Sequence, residues 1–301
     1  MSEVFNTKKS ILEEIRQSNS YRLNENGVQL FVKRDDLIHN LVSGNKWRKL
    51  KYNILQAKSQ NKKGVLTFGG AFSNHLIATA SACKKIGFKS IGIVRGDELN
   101  QNSNSILKKC FELDMQLLFV DRQTYLLRNE DEYVNKLKNT YKNYFLVPEG
   151  GANFYGMVGC QEIWKEIPID IDHVFVAQGT TTTSCGLLLG LPEKTVLHVI
   201  PVLKGFDSIN EMRNLLRKNM FDQDLIEDLL FKVVVHDNYH FGGYGKHSDE
   251  LLDFIQEMNQ KIHIPLDFIY TGKAFFAMMS EIKKSMFKNQ KVLFLHTGGL
   301  V

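Results

Sequence analysis

The sequence lacks several features that mark specialised classes of protein. Its four cysteines (Cys83, Cys110, Cys160 and Cys185) lie far apart and form no CxxC pair, which argues against zinc knuckles and disulfide scaffolds. No apolar run approaches the roughly 20 residues that span a bilayer, so we expect no membrane partner. The net charge is only +5 and no long block of lysine and arginine occurs, so we expect no nucleic-acid partner.

The remaining composition is that of an ordinary globular protein. The 301 residues are 43% hydrophobic and 24% charged, which supplies enough apolar material for one large domain or two modest ones. The first residues include Glu3, Glu13 and Glu14 and show no apolar segment of a secretory signal. Together with the scattered cysteines, this predicts a protein of a reducing compartment, the cytoplasm.

Short apolar runs, most of them followed by a glycine-rich turn, are the main structural signal. They are rich in valine, isoleucine, leucine and phenylalanine without alternation, which is typical of parallel strands buried on both faces. After the first run, residues 73–87 show the spacing of a helix that ends at Gly87. This order predicts an α/β fold, in which ligands bind beyond the carboxyl ends of the strands. The predicted strands are GVLTFGG (64–70), SIGIVRG (90–96), MQLLFV (115–120), YFLVPEGG (144–151), DHVFVAQG (172–179), TVLHVIPV (195–202), FKVVVHD (231–237) and KVLFLHTGG (291–299).

Several catalytic motifs are absent from the sequence. There is no GxxxxGK[ST] phosphate loop, no GxGxxG turn, no GxSxG nucleophile elbow and no HExxH metal motif. Three histidines in HDNYHFGGYGKH, namely His236, His240 and His247, come nearest to a metal cluster. The glycines among them indicate a loop, and no matching carboxylate and histidine shell accompanies them, so we expect no metal site.

A basic segment, SGNKWRKLKYN (43–53), raises the question of whether one of its amines has a chemical role. Trp47, Leu50 and Ile54 recur at helical spacing. This spacing predicts a helix that begins near residue 45, with Ser43 or Asn45 as its cap.

Lys46 differs from the other basic residues of this segment because it occupies the first helical turn. The helix macrodipole is positive there, which disfavours an ammonium and favours the neutral, nucleophilic amine. We expect Arg48, Lys49 and Lys51 to be solvated. From position alone, a surface lysine is the simpler interpretation of Lys46 as well.

Six short motifs follow one another along the chain: KRDDL…SGNKWRKL, GGAFSNH, EGGAN, GGYG, YTGKA and HTGG. Together they resemble the pyridoxal-phosphate (PLP) enzymes of the tryptophan-synthase-β-like fold, over residues 30–299 or so. Within that superfamily the chain resembles the D-cysteine desulfhydrase and 1-aminocyclopropane-1-carboxylate (ACC) deaminase family.

The resemblance implies an α/β fold of type II, with two three-layer α/β/α domains and mostly parallel sheets. A larger, PLP-binding domain would comprise residues 1–49 and 155–301, and a smaller domain residues 50–154. The active site would lie in the cleft between them. The resemblance also implies a small amino acid as the substrate and a homodimer.

The resemblance assigns roles to the residues that match the family's motifs. Lys46 takes the place of the lysine that binds PLP covalently and then serves as the general base, and Asn45 precedes it as in the family. Ser73 and Asn74 match the pair that opens a helix beside the cofactor, where the hydroxyl and the amide face the substrate carboxylate and the PLP 3-oxygen. This makes Asn74 a cofactor-binding as well as a substrate-binding residue, and His75 follows in the substrate site. Simple helix capping is the alternative for Ser73 and Asn74, and the two roles are compatible.

Two tyrosines and six threonines complete the implied site. Tyr244 and Tyr270 match two active-site tyrosines of the family, although each alone would more often be a core residue. Where the family has a glycine-rich phosphate loop, this chain has four threonines, whose hydroxyls and helix-start amides suit a phosphate dianion. Because β-branched residues tolerate positive φ poorly, the loss of two glycines predicts a restricted turn. The implied cofactor-binding threonines are Thr180, Thr181, Thr182, Thr183, Thr271 and Thr297.

The resemblance implies a PLP-dependent lyase or deaminase. ACC deaminases carry Glu and Leu at the two positions where this chain has Thr271 and Thr297, whereas D-cysteine desulfhydrases carry Ser or Thr. A neutral threonine near the pyridine nitrogen gives a weaker electron sink than a glutamate, adequate to expel a thiolate but less suited to breaking a carbon–carbon bond. We therefore predict β-elimination from D-cysteine to pyruvate, ammonia and sulfide. ACC deamination to 2-oxobutanoate and ammonia is the first alternative.

Two departures from the family keep further alternatives open. Phe72 stands where the family commonly has Gln, which removes an amide that could contact the substrate carboxylate. The chain ends at HTGGLV, whereas relatives continue by some tens of residues. An unusual substrate and a non-catalytic, ligand-binding relative of the fold are therefore alternatives. The joint presence of Lys46, the Ser-Asn pair and both tyrosines argues against the second.

Overall fold

The computed structural model describes residues 8–15, 27–39, 41–42, 44–219, 222–284 and 287–299. Its contacts divide the chain into two compact units, a first built mainly from His39–Cys160 and a second built from Lys9–Ile38 and Gln161–Leu300. The sequence-based boundaries grouped residues 39–49 and 155–160 with the larger domain, whereas the contacts group both segments with the first unit. Within the described ranges, no helix has both the length and the apolar character to cross a bilayer.

The first unit combines a parallel sheet with helices that alternate with its strands. The strands are β3 (Gly64–Gly69), β4 (Lys89–Arg95), β5 (Met115–Val120) and β6 (Tyr144–Val147). The α-helices are α1 (Asn45–Ser59), α2 (Asn74–Lys85), α3 (Ser105–Glu112), α4 (Arg122–Leu126), α5 (Asp131–Thr140) and α6 (Phe154–Gln161). Short 3-10 helices cover Leu127–Asn129 and Glu149–Gly151. The strand order is β5-β4-β3-β6, and all neighbours are parallel.

Burial in this sheet follows the apolar runs of the sequence. Every residue of the central strand β3 is buried, and so are the five inner residues of β4. The edge strands β5 and β6 are only partly buried. The four strands predicted in this part of the chain are confirmed, and the predicted helix after β3 forms as α2. Gly87 follows that helix with a φ of 72°, a conformation that glycine adopts readily.

The second unit is built around a larger, mixed sheet. Its strands are β1 (Ile11–Glu14), β2 (Gln29–Arg34), β7 (His173–Gln178), β8 (Val196–Pro201), β9 (Val233–Val235) and β10 (Lys291–His296). Its α-helices are α7 (Thr182–Leu189), α8 (Ser208–Asn219), α9 (Gln223–Leu230), α10 (Asp249–Ile262) and α11 (Thr271–Lys283). Short 3-10 helices cover Asp35–Leu37, Glu162–Glu166 and Asp237–Tyr239. The strand order is β1-β2-β10-β7-β8-β9; β1 runs antiparallel to β2, and the other neighbours are parallel.

The core of the second unit lies along β10 and β7. Five of the six residues in each of these strands are buried. Helix α11 packs there, where the ring of Phe275 meets Phe294 of β10 edge-on with centroids 5.0 Å apart. Strands β7 to β10 confirm the four remaining predicted runs. Strand β1 was not predicted, because ILEE carries two glutamates and no apolar run.

Three histidines of the second unit, His173, His198 and His236, form what we call the histidine row. The Nδ1 atom of His173 lies 2.9 Å from Nε2 of His198, and Nδ1 of His198 lies 2.8 Å from Nε2 of His236. The His198 ring stacks on Phe175 with centroids 4.2 Å apart. Burial is the main cause that lowers the pKa of all three residues, and for His198 it does so to about 2. The row is therefore neutral at pH 7.

The residues that came nearest to a metal cluster in the sequence have other partners. His236 belongs to the histidine row, His240 Nδ1 accepts a hydrogen bond from Gly242 N, and the His247 ring packs edge-on against Phe268. Among the described residues, no group of three or more histidine, cysteine, aspartate or glutamate side chains has the arrangement of a metal site. All four cysteines are buried.

Candidate functional site

The residues that the sequence predicts as a site divide between the two units. Those of the first unit are Asn45, Lys46, Ser73, Asn74 and His75. Those of the second unit are Thr180, Thr181, Thr182, Thr183, Tyr244, Tyr270, Thr271 and Thr297.

Helix α1 begins at Asn45, as the sequence predicts, and Lys46 is its second residue. The N-cap is Gly44, with φ 61° and ψ −139°, a backbone conformation that is open essentially to glycine. The prediction of Asn45 as the cap is wrong, because Asn45 is already helical, and Ser43 lies outside the described residues. Gly44 has no side chain that could cap the helix, and the half-buried Lys46 lies in the first turn, at the positive end of the helix dipole.

Two basic residues of α1 are buried, which corrects the prediction that they are solvated. Arg48 is 4% exposed and Lys49 is 5% exposed. A Cβ atom on Gly159 of helix α6 would lie 1.9 Å from the Arg48 carbonyl oxygen, so α6 approaches α1 where only glycine fits. A Cβ atom on Gly151 would likewise lie 3.0 Å from Lys49 Cβ. Segments that are distant in the chain thus cover a side of α1 that, judged from the spacing of its apolar residues, would be exposed to solvent.

Ser73 and Asn74 lie just beyond the carboxyl end of β3, at the start of α2. Ser73 caps this helix, since its Oγ accepts a hydrogen bond from Leu76 N at 3.4 Å. Gly69 lies against the cap, and a Cβ atom there would come within 2.7 Å of Ser73 Oγ. The capping interpretation of Ser73 is confirmed, and the hydroxyl proton remains available for another acceptor. Amides at a helix start beyond a parallel strand suit an anion such as a carboxylate.

His75 is buried, and its surroundings determine its tautomer. Thr67 Oγ1 donates to Val147 O at 2.8 Å and lies 3.0 Å from His75 Nε2. Because the hydroxyl has a single proton, Nε2 carries the ring proton and Nδ1 is a hydrogen-bond acceptor. The Nδ1 atom has no partner among the described residues. Burial, together with the charges of Lys49 and Lys46, lowers the pKa of His75 to about 3, so Lys46 lies near enough to act on this ring.

The four consecutive threonines lie between the carboxyl end of β7 and the first turn of α7. Thr181 is the N-cap of this helix, and its side chain makes no capping hydrogen bond, unlike Ser73 at α2. Thr180 Oγ1 lies 3.4 Å from Thr182 Oγ1, and Thr182 is fully buried. A helix start without a side-chain cap and with several hydroxyls beside it presents the donors that a phosphate dianion needs. The residues present therefore fit the phosphate of PLP.

These threonines do not strain the turn, which corrects the restriction that the sequence predicted. None of residues 179–183, all of which the structure describes, has a positive φ. Gly179 is needed for space instead, because a Cβ atom there would lie 2.9 Å from Cε1 of Tyr270. The turn thus tolerates β-branched residues, and it brings Tyr270 against the backbone of the threonine segment.

The two predicted tyrosines contact each other. The rings of Tyr244 and Tyr270 meet edge-on, with centroids 5.9 Å apart and planes at 74°. Tyr244 is 46% exposed, so it is not a packed core tyrosine. Through Tyr270, the structure brings Tyr244 and the threonine segment into one cluster of the second unit.

Asp267, which the sequence reasoning missed, organises the start of α11. Its Oδ1 accepts hydrogen bonds from the backbone N atoms of Ile269 and Tyr270, and its Oδ2 accepts from both the N and the Oγ1 of Thr271. Thr271 Oγ1 accepts in turn from Asp267 N at 2.9 Å. The hydroxyl proton of Thr271 is thus given to a carboxylate, and only a lone pair is left for a ligand. An aspartate just before a helical pattern was the available sequence signal.

Thr297 follows β10 in the HTGG turn and is 3% exposed. Gly298 and Gly299 have φ values of 76° and 109°, which glycine alone adopts readily. His296 anchors the turn, since its Nε2 lies 2.6 Å from Pro265 O and its Nδ1 accepts from Gly298 N. Gly298 and Gly299 therefore allow the tight backbone turn that directly follows Thr297.

Comparison with known proteins gives consistent matches along the chain. The family described as pyridoxal-phosphate dependent enzymes matches residues 14–298. A putative ACC deaminase of Pyrococcus abyssi is 34% identical over 289 residues, which cover 92% of this chain and 86% of that protein. The mitochondrial bifunctional D-cysteine desulfhydrase/ACC deaminase of Arabidopsis thaliana is 29% identical over 304 residues, which cover 92% of this chain and 73% of that protein.

Solved structures agree with these matches. The crystal structure of an ACC deaminase homologue has a TM-score of 0.73 at 30% identity, covering 91% of this chain and 85% of that one. A hydrogen sulfide-producing enzyme from Fusobacterium nucleatum has a TM-score of 0.66 at 16% identity, covering 98% of this chain and 97% of that one, and shares the fold. The expected type II α/β fold is therefore confirmed. The chain belongs to the family of pyridoxal-phosphate dependent enzymes, among the relatives of ACC deaminase and D-cysteine desulfhydrase, and its cofactor is PLP.

Proposed function

We propose that the chain catalyses β-elimination from D-cysteine, giving pyruvate, ammonia and sulfide. The observation that carries this choice is the start of α11, where the buried Thr271 is neutral and its hydroxyl is held by Asp267. The resemblance places a glutamate at this position in ACC deaminases, where it serves the pyridine nitrogen. A neutral residue makes the cofactor a weaker electron sink, which suits the expulsion of a thiolate better than the cleavage of a carbon–carbon bond.

Lys46 is the residue that would hold PLP and move the proton. Its place in the first turn of α1 favours the neutral amine, which is the nucleophilic form and also the form that can accept a proton from Cα. When bound, PLP stabilises the negative charge that develops at Cα. His75 adds no positive charge next to this amine, because burial is the main cause that lowers the pKa of this histidine, to about 3.

The start of α2 would bind the substrate. The amides of its first turn and the Ser73 hydroxyl are donors for the substrate carboxylate. His75 has a different task, because its ring proton is committed to Thr67 and its Nδ1 can only accept. It would receive an N–H of the substrate or an ordered water, and it would not bind the carboxylate.

The second unit contains residues that match cofactor-binding positions of the family. The hydroxyls of Thr180 and Thr182 and the amides at the start of α7 would bind the phosphate. Tyr244 and Tyr270, in edge-on contact, would supply hydroxyls and ring surface beside it. We further propose a homodimer, for which the support is the family resemblance alone.

ACC deamination to 2-oxobutanoate and ammonia is the second candidate. What favours it is the name of the Pyrococcus abyssi relative, a putative ACC deaminase at 34% identity. The bifunctional Arabidopsis thaliana relative carries both activities in its name, so the two candidates are compatible with one site.

The cofactor assignment is tested by absorbance of the purified protein with PLP. Bound PLP should give a visible band that Lys46→Ala abolishes, because the lysine amine is the covalent attachment point. Lys58→Ala is the matched control, since Lys58 lies exposed in the last turn of the same helix and should leave the band unchanged. A band of equal height in Lys46→Ala would refute the assignment of Lys46.

The substrate assignment is tested by keto-acid release from D-cysteine, L-cysteine, D-serine and ACC in parallel. We expect pyruvate and sulfide from D-cysteine at the highest kcat/KM, and no product from Lys46→Ala. If 2-oxobutanoate forms from ACC while the other three substrates give no pyruvate, the proposal is replaced by ACC deaminase.

A further inference from the structure

Lys273, the third residue of α11, is fully buried, which is rare for a lysine. Its Nζ donates to His240 O at 2.8 Å and to Gly243 O at 2.7 Å. Both acceptors are backbone carbonyls of one segment, which we call the glycine loop (residues 240–246). The buried ammonium therefore binds the backbone of the glycine loop, which carries Tyr244.

The backbone of the glycine loop turns both carbonyls toward the lysine. Phe241, Gly242, Gly243 and Gly245 have positive φ values of 50°, 89°, 115° and 69°. Inside the loop, His240 O accepts from Gly243 N and Gly243 O accepts from Lys246 N. The two carbonyls that hold the loop together are thus the same two that accept from Lys273.

Other contacts with α11 lie at the beginning of the loop, where Tyr239, the residue that precedes it, donates a hydrogen bond to Glu281 Oε1 at 2.7 Å. The ring of Phe241 packs edge-on against Phe276 of that helix, with centroids 5.2 Å apart. Tyr244 itself is 46% exposed and meets the edge of Tyr270, the residue that precedes α11. The two residues that flank Tyr244 in the chain, Gly243 and Gly245, have no side chains, so the position of Tyr244 depends on the backbone of the loop as well as on its contact with Tyr270.

We infer that Lys273 is a positioning residue, which fixes the glycine loop to the start of α11 and thereby sets Tyr244 against Tyr270. The inference rests on the proposed function in one respect, because that function gives Tyr244 its place in the site. Lys273 follows Tyr270 by three residues in the same motif, so one helix start holds one tyrosine directly and the other through the ammonium.

The charge of Lys273 is compatible with this role at neutral pH. Burial lowers its pKa to about 8, although the negative charge of Asp267 acts in the opposite direction and raises the pKa. At pH 7 the ammonium is therefore the main form, with three N–H donors for the two carbonyls. Charge-assisted hydrogen bonds of this kind are stronger than those of a neutral donor.

The inference is tested with Lys273→Met and its matched control Lys246→Met, which removes an exposed lysine of the same loop. Amide hydrogen exchange of residues 240–246 is followed by mass spectrometry on the PLP-bound proteins. Loss of the two charge-assisted bonds should speed exchange of this segment about tenfold to a hundredfold in Lys273→Met. Lys246→Met should exchange as the unsubstituted protein does, and helix α2 of the first unit should be unchanged in both variants. Unchanged exchange of the loop in Lys273→Met would overturn the inference.

A double-mutant cycle with Tyr244→Phe separates positioning from a general structural role. If Lys273 acts through Tyr244, Lys273→Met should lower kcat about tenfold or more, with a smaller change in KM. On the Tyr244→Phe background the same substitution should then cost less than about threefold. Equal losses on both backgrounds would show that Lys273 acts on the fold as a whole, and would overturn the inference.

Two measurements keep the test open if Lys273→Met does not fold. Lys273→Gln keeps two N–H donors on a shorter chain and should give an exchange rate between those of Lys273→Met and the unsubstituted protein. In the unsubstituted holoenzyme, the amides of Gly243 and Lys246 should be protected, and exchange at the unprotected rate would itself overturn the inference. The exchange experiment needs no substrate, so its failure is distinguishable from a failure of the proposed reaction.

Discussion

Acid should destabilise the second unit through the histidine row, and His198 is its centre. The perturbation is a change of pH from 7 to 5. The His198 ring is 5% exposed and stacked on Phe175, and burial lowers its pKa to about 2. In the unfolded chain the pKa of a histidine is about 6.5. Below that pH, His198 therefore binds a proton in the unfolded state but not in the folded state.

The sign and size of the effect follow from this difference. Above pH 6.5 the imidazole is neutral in both states and has no effect on the pH dependence. As the pH falls from about 6.5 toward 2, stability is lost at about 1.4 kcal/mol per pH unit. At pH 5 the loss from His198 is therefore about 2 kcal/mol, a large share of the stability of an ordinary domain.

Urea denaturation at pH 7 and pH 5 measures this loss. Trp164 lies in the second unit and Trp47 in the first, so Trp164 fluorescence in a Trp47→Phe background reports the second unit. His198→Asn should be less stable at pH 7, because it breaks the row, but its further loss at pH 5 should be smaller by about 2 kcal/mol. His263→Asn is the control, since His263 is exposed with a φ of 54° that asparagine tolerates. An equal loss at pH 5 in the unsubstituted protein and in His198→Asn would refute the reasoning.

Three further substitutions probe close approaches and the helix start. Gly159→Ala should lower the free energy of unfolding in urea by roughly 3 kcal/mol, because its Cβ would lie 1.9 Å from the carbonyl oxygen of Arg48. Gly70→Ala is the control and should lower it far less, because its Cβ would lie 3.8 Å from the nearest atom, Nη2 of Arg95. Gly179→Ala should weaken PLP binding several-fold in a titration of the visible band, because its Cβ would lie 2.9 Å from a tyrosine ring of the site; unchanged affinity would contradict the close approach. Asp267→Asn should lower the unfolding free energy by about 1–2 kcal/mol and reduce kcat, because it removes charge and an acceptor from the start of α11; unchanged stability would contradict its capping role.

Local signals in the sequence were sufficient for much of the fold. Continuous apolar runs predicted strands β3 to β10, because strands that are buried on both faces are rich in apolar side chains. The edge strands β5, β6 and β9 carry the same kind of run although they are only partly buried. The start of α1 at residue 45 also followed from a local pattern, the spacing of Trp47, Leu50 and Ile54. Lys46 and the start of α2 entered the candidate site through motifs whose residues lie side by side in the chain.

Other features could not be predicted in this way, because they depend on segments far apart in the chain. Arg48 and Lys49 look like solvated residues of a basic helix, and they are buried because residues about 100 positions later pack over them. The threonine turn looked restricted, yet its backbone never enters the positive φ region. Asp267 precedes a helical pattern and could have been considered as a cap, but the four hydrogen bonds that its carboxylate accepts are visible only in the structure.

The sequence by itself determined strands β3 to β10, helices α1 and α2, the family and the cofactor, since these rest on local periodicity and on short motifs. The tertiary structure alone decided the protonation and the partners of the polar groups. The tautomer of His75 depends on Thr67 and Val147, and the buried ammonium of Lys273 depends on carbonyls some 30 residues earlier in the chain. Hydrogen bonds and burial of this kind join residues that no local pattern relates, so the chemistry of individual side chains becomes readable only in the folded chain.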